Sequence, residues 1–294
     1  MDWLIYSGIM FVFSISYYLI LRSLQRQGMP SAVNMLMMFL PAVPLYIIII
    51  LAEKINLVLS LWHLSIIFIA TYLFSYLGNI YSLKGIKEAP NSGYSLIIQK
   101  SYAVYTTFAA ALLFGSVINA KTVIAILVII IFSGFILIEK QAPKGSLGKA
   151  VSRSWILPTF MAFFLFGNLT LVSKWLLEQG ITPIVRGFYL NIFVTGMYAI
   201  NLFSEIKYKG LVVPKINGKQ YVQLILLGIS CGAFNLAMQY AFNVTPNIGI
   251  VSIINTASIT PITVFSAILF KESLNLQKIV GIIGVSVGLA ILVI

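Results

Sequence analysis

Charged residues are scarce in this sequence, and acidic residues are the scarcest of them. Only 9% of the 294 residues are charged, with 7 Asp and Glu against 19 Lys and Arg, whereas soluble domains carry about 25% charged residues. Hydrophobic residues make up 60% and the mean hydropathy is +1.01. These proportions exclude an ordinary water-soluble domain. One cysteine, Cys231, excludes an internal disulfide, and one histidine, His63, excludes a multi-histidine metal site.

The sequence also lacks the motifs of catalytic and cofactor chemistry. It has no Gly-rich phosphate loop and no Ser/His/Asp set, so we expect no enzyme, no catalytic residues and no cofactor. The basic residues stand singly between apolar runs, whereas a nucleic-acid-binding surface needs them clustered on one face. Nucleic acid is therefore not an expected partner.

Long apolar runs fill most of the chain. About 20 helical residues cross the hydrocarbon core of a bilayer, and runs of about this length stand between charged or turn-rich breaks. The predicted spans are 3–21, 32–52, 62–82, 93–114, 122–138, 155–175, 184–204, 220–241, 249–270 and 276–294. The runs lack the alternating polarity of barrel strands. We expect an all-α polytopic membrane protein with ten transmembrane helices, embedded in the lipid bilayer.

Lysine and arginine fall mainly on one side of the predicted bundle. The odd-numbered loops hold 14 of them and the even-numbered loops hold four, with Arg186 counted among the four. Because basic residues collect in cytoplasmic loops, we expect both termini to face outward. The plasma (inner) membrane is the expected location.

Two segments of the first half recur in the second. Residues 89–93 match 245–249, and this shift of 156 gives nine identities over the 25 positions from 90 to 114. Span one repeats in span six with a shift of 152, most clearly at a Gln-Gly pair that ends at Gly180 in the second copy. Because five crossings leave a chain on the opposite side, the two copies must be inverted.

The repeat predicts two five-helix units, 1–142 and 152–294, and the second unit carries the residues of a family resemblance. They are a Pro-containing ninth helix at Ala257–Val264, an LF-x-E-x-L corner at Leu269–Leu274, and a Gly-containing tenth helix from Gly281. With the repeat, these residues resemble the ten-helix EamA branch of the drug/metabolite transporter superfamily. The resemblance implies cytoplasmic termini, opposite to the charge count.

Inverted repeats are typical of secondary transporters, whose substrate sites lie near the midplane between the repeats. We expect the protein to move a small neutral or anionic metabolite by alternating access. All acids lie at span ends or in loops, which disfavours proton-coupled cation export through a buried carboxylate. Two alternatives stay open, a lipid or lipid-linked-sugar flippase of the same superfamily and a cation carrier that uses an aromatic cage.

Polar residues near the span centres are the candidate substrate contacts. Lys100 is the one ionisable residue well inside a span, and it either snorkels to an interface or anchors an anionic group of the substrate. The resemblance implies that spans one, three, four, six, eight and nine surround a common cavity. The predicted substrate site consists of Tyr17, Tyr76, Gln99, Lys100, Asn168, Asn235 and Asn255.

Small residues in span ten bear on the oligomeric state. Gly281, Gly284 and Gly288 permit close approach of another helix. We interpret them as packing within the protomer rather than as a dimer seam, and we expect a monomer or a homodimer.

Overall fold

The structure is a computed structural model that describes residues 2–89, 92–137, 154–245, 247–271 and 276–293. The described residues contain helices and no strand. The helices are α1 (Asp2–Arg26), α2 (Ser31–Glu53), α3 (Leu61–Glu88), α4 (Ser92–Lys100 and Tyr102–Phe114), α5 (Ala120–Leu137), α6 (Ile156–Glu178), α7 (Pro183–Lys209), α8 (Gly218–Val244), α9 (Ile248–Ala257 and Ile259–Phe270) and α10 (Leu276–Val293). The described residues exclude several that carry the repeat, the charge bias and the family resemblance, namely Pro90, Asn91, Pro246, the loop 139–153 and the corner residues 272–275.

Six of these helices, α1, α2, α3, α6, α8 and α9, are long and apolar enough to cross a bilayer. Large apolar side chains point outward from the bundle, as at Leu51, Leu112 and Ile200, which are 72%, 88% and 72% exposed. Such exposure suits contact with lipid and not with water. The described residues thus form a helical, multi-pass membrane protein. Crossing by all ten predicted helices stays a prediction.

The turns that follow α1 and α6 have the same backbone structure. Gly28 and Gly180 have φ angles of +79° and +83°, in the left-handed region that glycine adopts without strain. In both turns the amide after the glycine donates to the carbonyl five residues earlier, at 3.0 and 3.3 Å. The Gln-Gly pair that recurs in the sequence is therefore a recurring end of a helix.

The pairing of helices is symmetric between the two halves. Helix α1 packs along α8 as α6 packs along α3, α1 contacts α9 as α6 contacts α4, and α2 contacts α8 as α7 contacts α3. The remaining large contacts join α2 to α7, α4 to α9 and α5 to α10. If each of the first five helices is exchanged for the helix five places later, the same set of helix pairs is in contact. The same exchange relates the repeated sequence segments.

The glycines of α10 pack against α5 of the same chain. A Cβ built on Gly284 would clash with the ring of Phe132, and one on Gly288 would lie 2.6 Å from Cγ1 of Ile129. These two glycines therefore make the close approach within the protomer that we expected. Whether the protein is a monomer or a homodimer stays a prediction.

Helix α2 is interrupted between Phe39 and Ala42, and three further helices are interrupted where polar side chains gather. Helix α3 contains a π-helical turn, Thr71–Tyr76, while α4 breaks at Ser101 and its counterpart α9 breaks at Ser258. Broken helices occur at membrane depth where the freed backbone groups find partners within the protein. At the break in α9 the carbonyl oxygen of Asn255 accepts a hydrogen bond from Ser258 Oγ at 2.7 Å.

Candidate substrate site

A cavity lies between the two halves of the chain, and α1 to α4 and α6 to α9 all contribute to its wall. The space free of atoms in and around this cavity, including its opening to solvent, is about 760 Å³. Its aromatic lining consists of Tyr17, Tyr18, Phe39, Tyr102, Phe166 and Phe234. Its polar lining consists of Ser75, Asn79, Gln99, Lys100, Thr170, Ser173, Arg186, Asn235, Gln239 and Asn255.

Five of the seven residues predicted from the sequence line this cavity. They are Tyr17, Gln99, Lys100, Asn235 and Asn255. They come from four helices, α1, α4, α8 and α9, which belong to both halves. The structure therefore brings these five together at the boundary between the halves, and it leaves Tyr76 and Asn168 outside the cavity wall.

Asn168 lies on a different face of α6 from the residues that line the cavity. At about 100° per residue, its side chain lies roughly 150° around the helix from the centre of the lining face. Its Nδ2 donates to the Phe164 carbonyl in the preceding turn at 2.9 Å. The lining residues of α6 are Phe166, Leu169, Thr170 and Ser173.

Tyr76 stands at the end of the π-helical turn of α3 and packs within an aromatic cluster. Its ring centroid is 5.8 Å from that of Tyr72 and 5.0 Å from that of Tyr198, and the Tyr198 hydroxyl donates to the Tyr76 carbonyl at 3.0 Å. Ser75 and Asn79 supply the lining of the cavity on α3 instead. A π turn adds a residue to one turn of the helix and so rotates the side chains that follow it. A prediction that assumes regular α-helical spacing therefore places Tyr76 on the wrong face of α3.

The ammonium of Lys100 is surrounded by acceptors from the protein itself. Lys100 is 4% exposed, and its Nζ lies 3.1 Å from Ser14 Oγ, 2.9 and 3.0 Å from Oδ1 and O of Asn255, and 2.8 Å from Ser258 Oγ. It also lies 4.7 Å from the centre of the Tyr18 ring. Because an ammonium has three donors and four acceptors surround it, no donor remains for a solute. Lys100 joins α4 to α1 and α9.

A contact between repeat counterparts lies beside this cluster. Thr256 occupies the position in α9 that corresponds to Lys100 in α4, 156 residues earlier, and its Oγ1 donates to the Lys100 carbonyl at 3.0 Å. A residue contacts its own counterpart when both lie close to the axis that relates two repeats. The contact therefore supports an axis that passes between α4 and α9, next to the cavity.

Gln99 also holds helices together. Its Oε1 accepts from Ser82 Oγ at 2.6 Å and its Nε2 donates to Ser95 Oγ at 2.7 Å, while Ser95 Oγ lies 2.8 Å from Thr159 Oγ1. This chain of bonds joins α3, α4 and α6. The amide of Gln99 therefore has partners on both sides, as the ammonium of Lys100 does.

Arg186 is the residue that the sequence reasoning missed, because it was counted among the loop cations. That assignment was wrong. Helix α7 begins at Pro183, with the side chain of Thr182 as its N-cap, so Arg186 falls in the first turn. It is 2% exposed and lines the cavity. Its Nε and Nη1 atoms have no hydrogen-bond partner in the described structure. The predicted span at 184–204 already contained Arg186, and this position inside a span could have identified it as an intramembrane cation.

Gln239 was also left out of the predicted set. It is 3% exposed and lines the cavity from α8, and its Oε1 atom has no hydrogen-bond partner among the described residues. The charged residues of the lining are Lys100 and Arg186, with no Asp or Glu among the lining residues. The wall is therefore electropositive, which favours a negatively charged group in the cavity.

The apolar helices and their outward-facing apolar side chains define an integral, multi-pass helical membrane protein, with a cavity between its halves. Residues 153–294, which are 142 of the 294 residues, match the EamA-like transporter family, a part of the drug/metabolite transporter superfamily. This match confirms the resemblance seen in the sequence. The division into 1–142 and 152–294 stays a prediction.

A known structure shares the fold along nearly the whole chain. One solved structure, described as "Crystal structure of protein", aligns over 97% of this chain and 97% of its own, with a TM-score of 0.75 and 15% sequence identity. At this identity the alignment shows the fold alone. No curated protein matches the chain.

Proposed function

We propose that the protein is a secondary transporter that moves a small organic metabolite across the plasma (inner) membrane. In this proposal two inverted five-helix repeats expose the cavity to each side of the membrane in turn. The observation that carries it is the cavity itself, whose wall is shared by eight helices of both halves. A rotation of one half against the other would open this wall on one side and close it on the other.

The lining of the cavity suits a small solute. Sites for small molecules combine apolar and aromatic walls with a few polar groups that fix orientation, and six aromatic side chains together with Arg186 and Gln239 supply both here. The transporter family of residues 153–294 agrees with this function. Neither observation involves a catalytic group.

The charge of the lining argues against a cation carrier. A monovalent cation about 8 Å from the Arg186 guanidinium would be repelled by about 2 kcal/mol at an effective dielectric constant of about 20. The lining residues offer no carboxylate to offset this repulsion. We therefore expect the aromatic side chains to contact an apolar part of the solute and not to form a cage around a cation.

Counterflow in proteoliposomes tests the proposed function. Vesicles loaded with an unlabelled small-molecule extract of the expression host are diluted into trace radiolabelled extract, and the label that accumulates is identified. We expect transient accumulation of a small set of compounds, absent from protein-free vesicles. If no soluble compound accumulates while a labelled lipid or lipid-linked sugar changes leaflet, the protein is a flippase and the proposal is wrong.

Two variants of α6 supply a matched control for this experiment. Leu169 lines the cavity, so Leu169→Trp should fill part of it and reduce counterflow at least tenfold. Asn168 lies on another face of the same helix, and Asn168→Trp should keep most of the activity. Equal loss in both variants would show that transport does not pass through this cavity. Thermal melting in detergent verifies that both variants are folded.

A further inference from the structure

We infer that the transported solute carries an oxyanion, a carboxylate or a phosphate, and that Arg186 binds it. The inference rests on the proposed function, because it takes the cavity as the solute site. It goes beyond that function by naming the charge of the solute and the residue that recognises it.

Arg186 is a buried cation whose side-chain donors are not all paired. Its side chain is among the largest that are fully buried in the described structure, and two of its nitrogen atoms have no hydrogen-bond partner. A buried charge is costly unless it is paired, and ionisable side chains inside a membrane protein generally serve its function. A guanidinium on the wall of a cavity can find its partner in a solute.

The acids of the described residues do not neutralise Arg186. Two ion pairs involving them join Lys174 to Glu178 and Lys209 to Glu205, each at 3.7 Å. The other described acids lie at helix ends, at Asp2, Glu53 and Glu88. No ion pair to Arg186 occurs among the residues that the structure describes. The guanidinium therefore keeps its full charge for a group that enters the cavity.

Lys100 is the other buried cation of the cavity, and the comparison between the two is informative. The ammonium of Lys100 has four acceptors within 3.1 Å, so its donors are occupied. Arg186 has a planar set of five donors, a geometry that matches two oxygen atoms of a carboxylate or phosphate at once. Of the two cations, Arg186 is the one with free donors.

One acceptor in the lining of the cavity is also without a hydrogen-bond partner. Gln239 has an unpartnered Oε1 on the same cavity. A solute with an oxyanion and an O–H or N–H group would pair with Arg186 and Gln239, which both line the cavity.

The rest of the lining indicates an apolar body for the solute. Tyr17 and Phe234 are stacked with ring centroids 6.2 Å apart, and Phe39 and Phe166 also line the cavity. We therefore choose aryl probes. Benzoate carries a carboxylate, phenyl phosphate carries a phosphate, and benzamide has nearly the shape of benzoate without its charge.

Thermal melting of the purified protein in detergent measures binding of the three probes. We expect benzoate or phenyl phosphate to raise the melting temperature and benzamide to have little effect, and the two anions separate carboxylate from phosphate recognition. Arg186→Met should weaken anion binding at least tenfold, as expected for the loss of charge-assisted hydrogen bonds. Arg186→Lys keeps the charge and loses the planar donor set, so its affinity for the anions should lie between those of the wild type and Arg186→Met.

The melting temperature without probe separates solute binding from a structural role. Because Arg186→Met removes an unpaired buried charge, the ligand-free variant should melt at or above the wild-type temperature. The exposed Lys121 provides the control, since Lys121→Met should change neither property. A large drop for ligand-free Arg186→Met, equal stabilisation by benzamide and the anions, or stabilisation by no probe would each overturn the inference. Counterflow of neutral solutes alone would overturn the inference and leave the proposed function intact.

Discussion

Replacement of Lys100 by methionine tests its role as a junction between helices. The ammonium has four acceptors at 2.8 to 3.1 Å, and three donors to them at about 1.5–3 kcal/mol each amount to roughly 4.5–9 kcal/mol. Removal of a buried lysine recovers about 2.5–3.5 kcal/mol of insertion cost. The difference between these two ranges predicts a net loss of stability of about 1–6.5 kcal/mol.

Thermal melting in detergent measures this loss. For a chain of this size the melting temperature of Lys100→Met should fall by about 2–10 °C. Lys121→Met, at an exposed position at the start of α5, should melt like the wild type. If Lys100→Met melts like the wild type but binds the transported solute at least tenfold more weakly, then Lys100 is a solute anchor, and the argument from its occupied donors is wrong.

Three further predictions follow from the backbone and the topology. Gly180 has a φ angle of +83°, so Gly180→Ala should reduce the free energy of unfolding by about 1–2 kcal/mol and lower the melting temperature. An unchanged melting temperature would contradict the left-handed glycine turn at the end of α6. A Cβ on Gly249 would clash with a threonine of α4, whereas one on Gly196 would meet nothing within 4 Å. Gly249→Ala should therefore lower the melting temperature of the protein, and Gly196→Ala should not. Equal melting temperatures of the two variants would contradict the close contact between α4 and α9. In a cysteine-free background, an impermeant maleimide should label Val58→Cys in intact cells and Tyr208→Cys only after permeabilisation, and the reverse pattern would place the termini inside.

Burial of Arg186 bears on the topology prediction as well. Without Arg186 the even-numbered loops hold three basic residues against 14 on the other side, so the charge bias becomes stronger. The orientation still opposes what the family resemblance implies. The labelling experiment decides between them.

The helices could be predicted from the sequence because an apolar run of about 20 residues has one dominant structure in a bilayer. The run at 122–138 corresponds to Ala120–Leu137, for example. The interruptions could not be predicted in the same way. At the π turn the Tyr198 hydroxyl of α7 donates to the Tyr76 carbonyl, and before the break in α9 the Lys100 ammonium of α4 donates to the Asn255 carbonyl. No local pattern encodes partners from other helices.

The candidate site was predictable in part for the same reason. Polar residues inside apolar runs must face protein, so Gln99, Lys100 and Asn255 were found. Their bonding was not predictable, because the partners of Lys100 lie 86, 155 and 158 positions away. Arg186 was missed because a cation three residues from a helix start has the same local sequence whether it faces solvent or a cavity.

Trans-acceleration tests the central claim, alternating access through the cavity, most directly. Proteoliposomes are loaded with a radiolabelled small-molecule extract, and efflux of the label is followed with and without unlabelled extract outside. A carrier that must return its site across the membrane should release label several-fold faster when solute is present on the far side. Efflux at the same rate under both conditions, in protein that melts cooperatively, would contradict the account and indicate a pore.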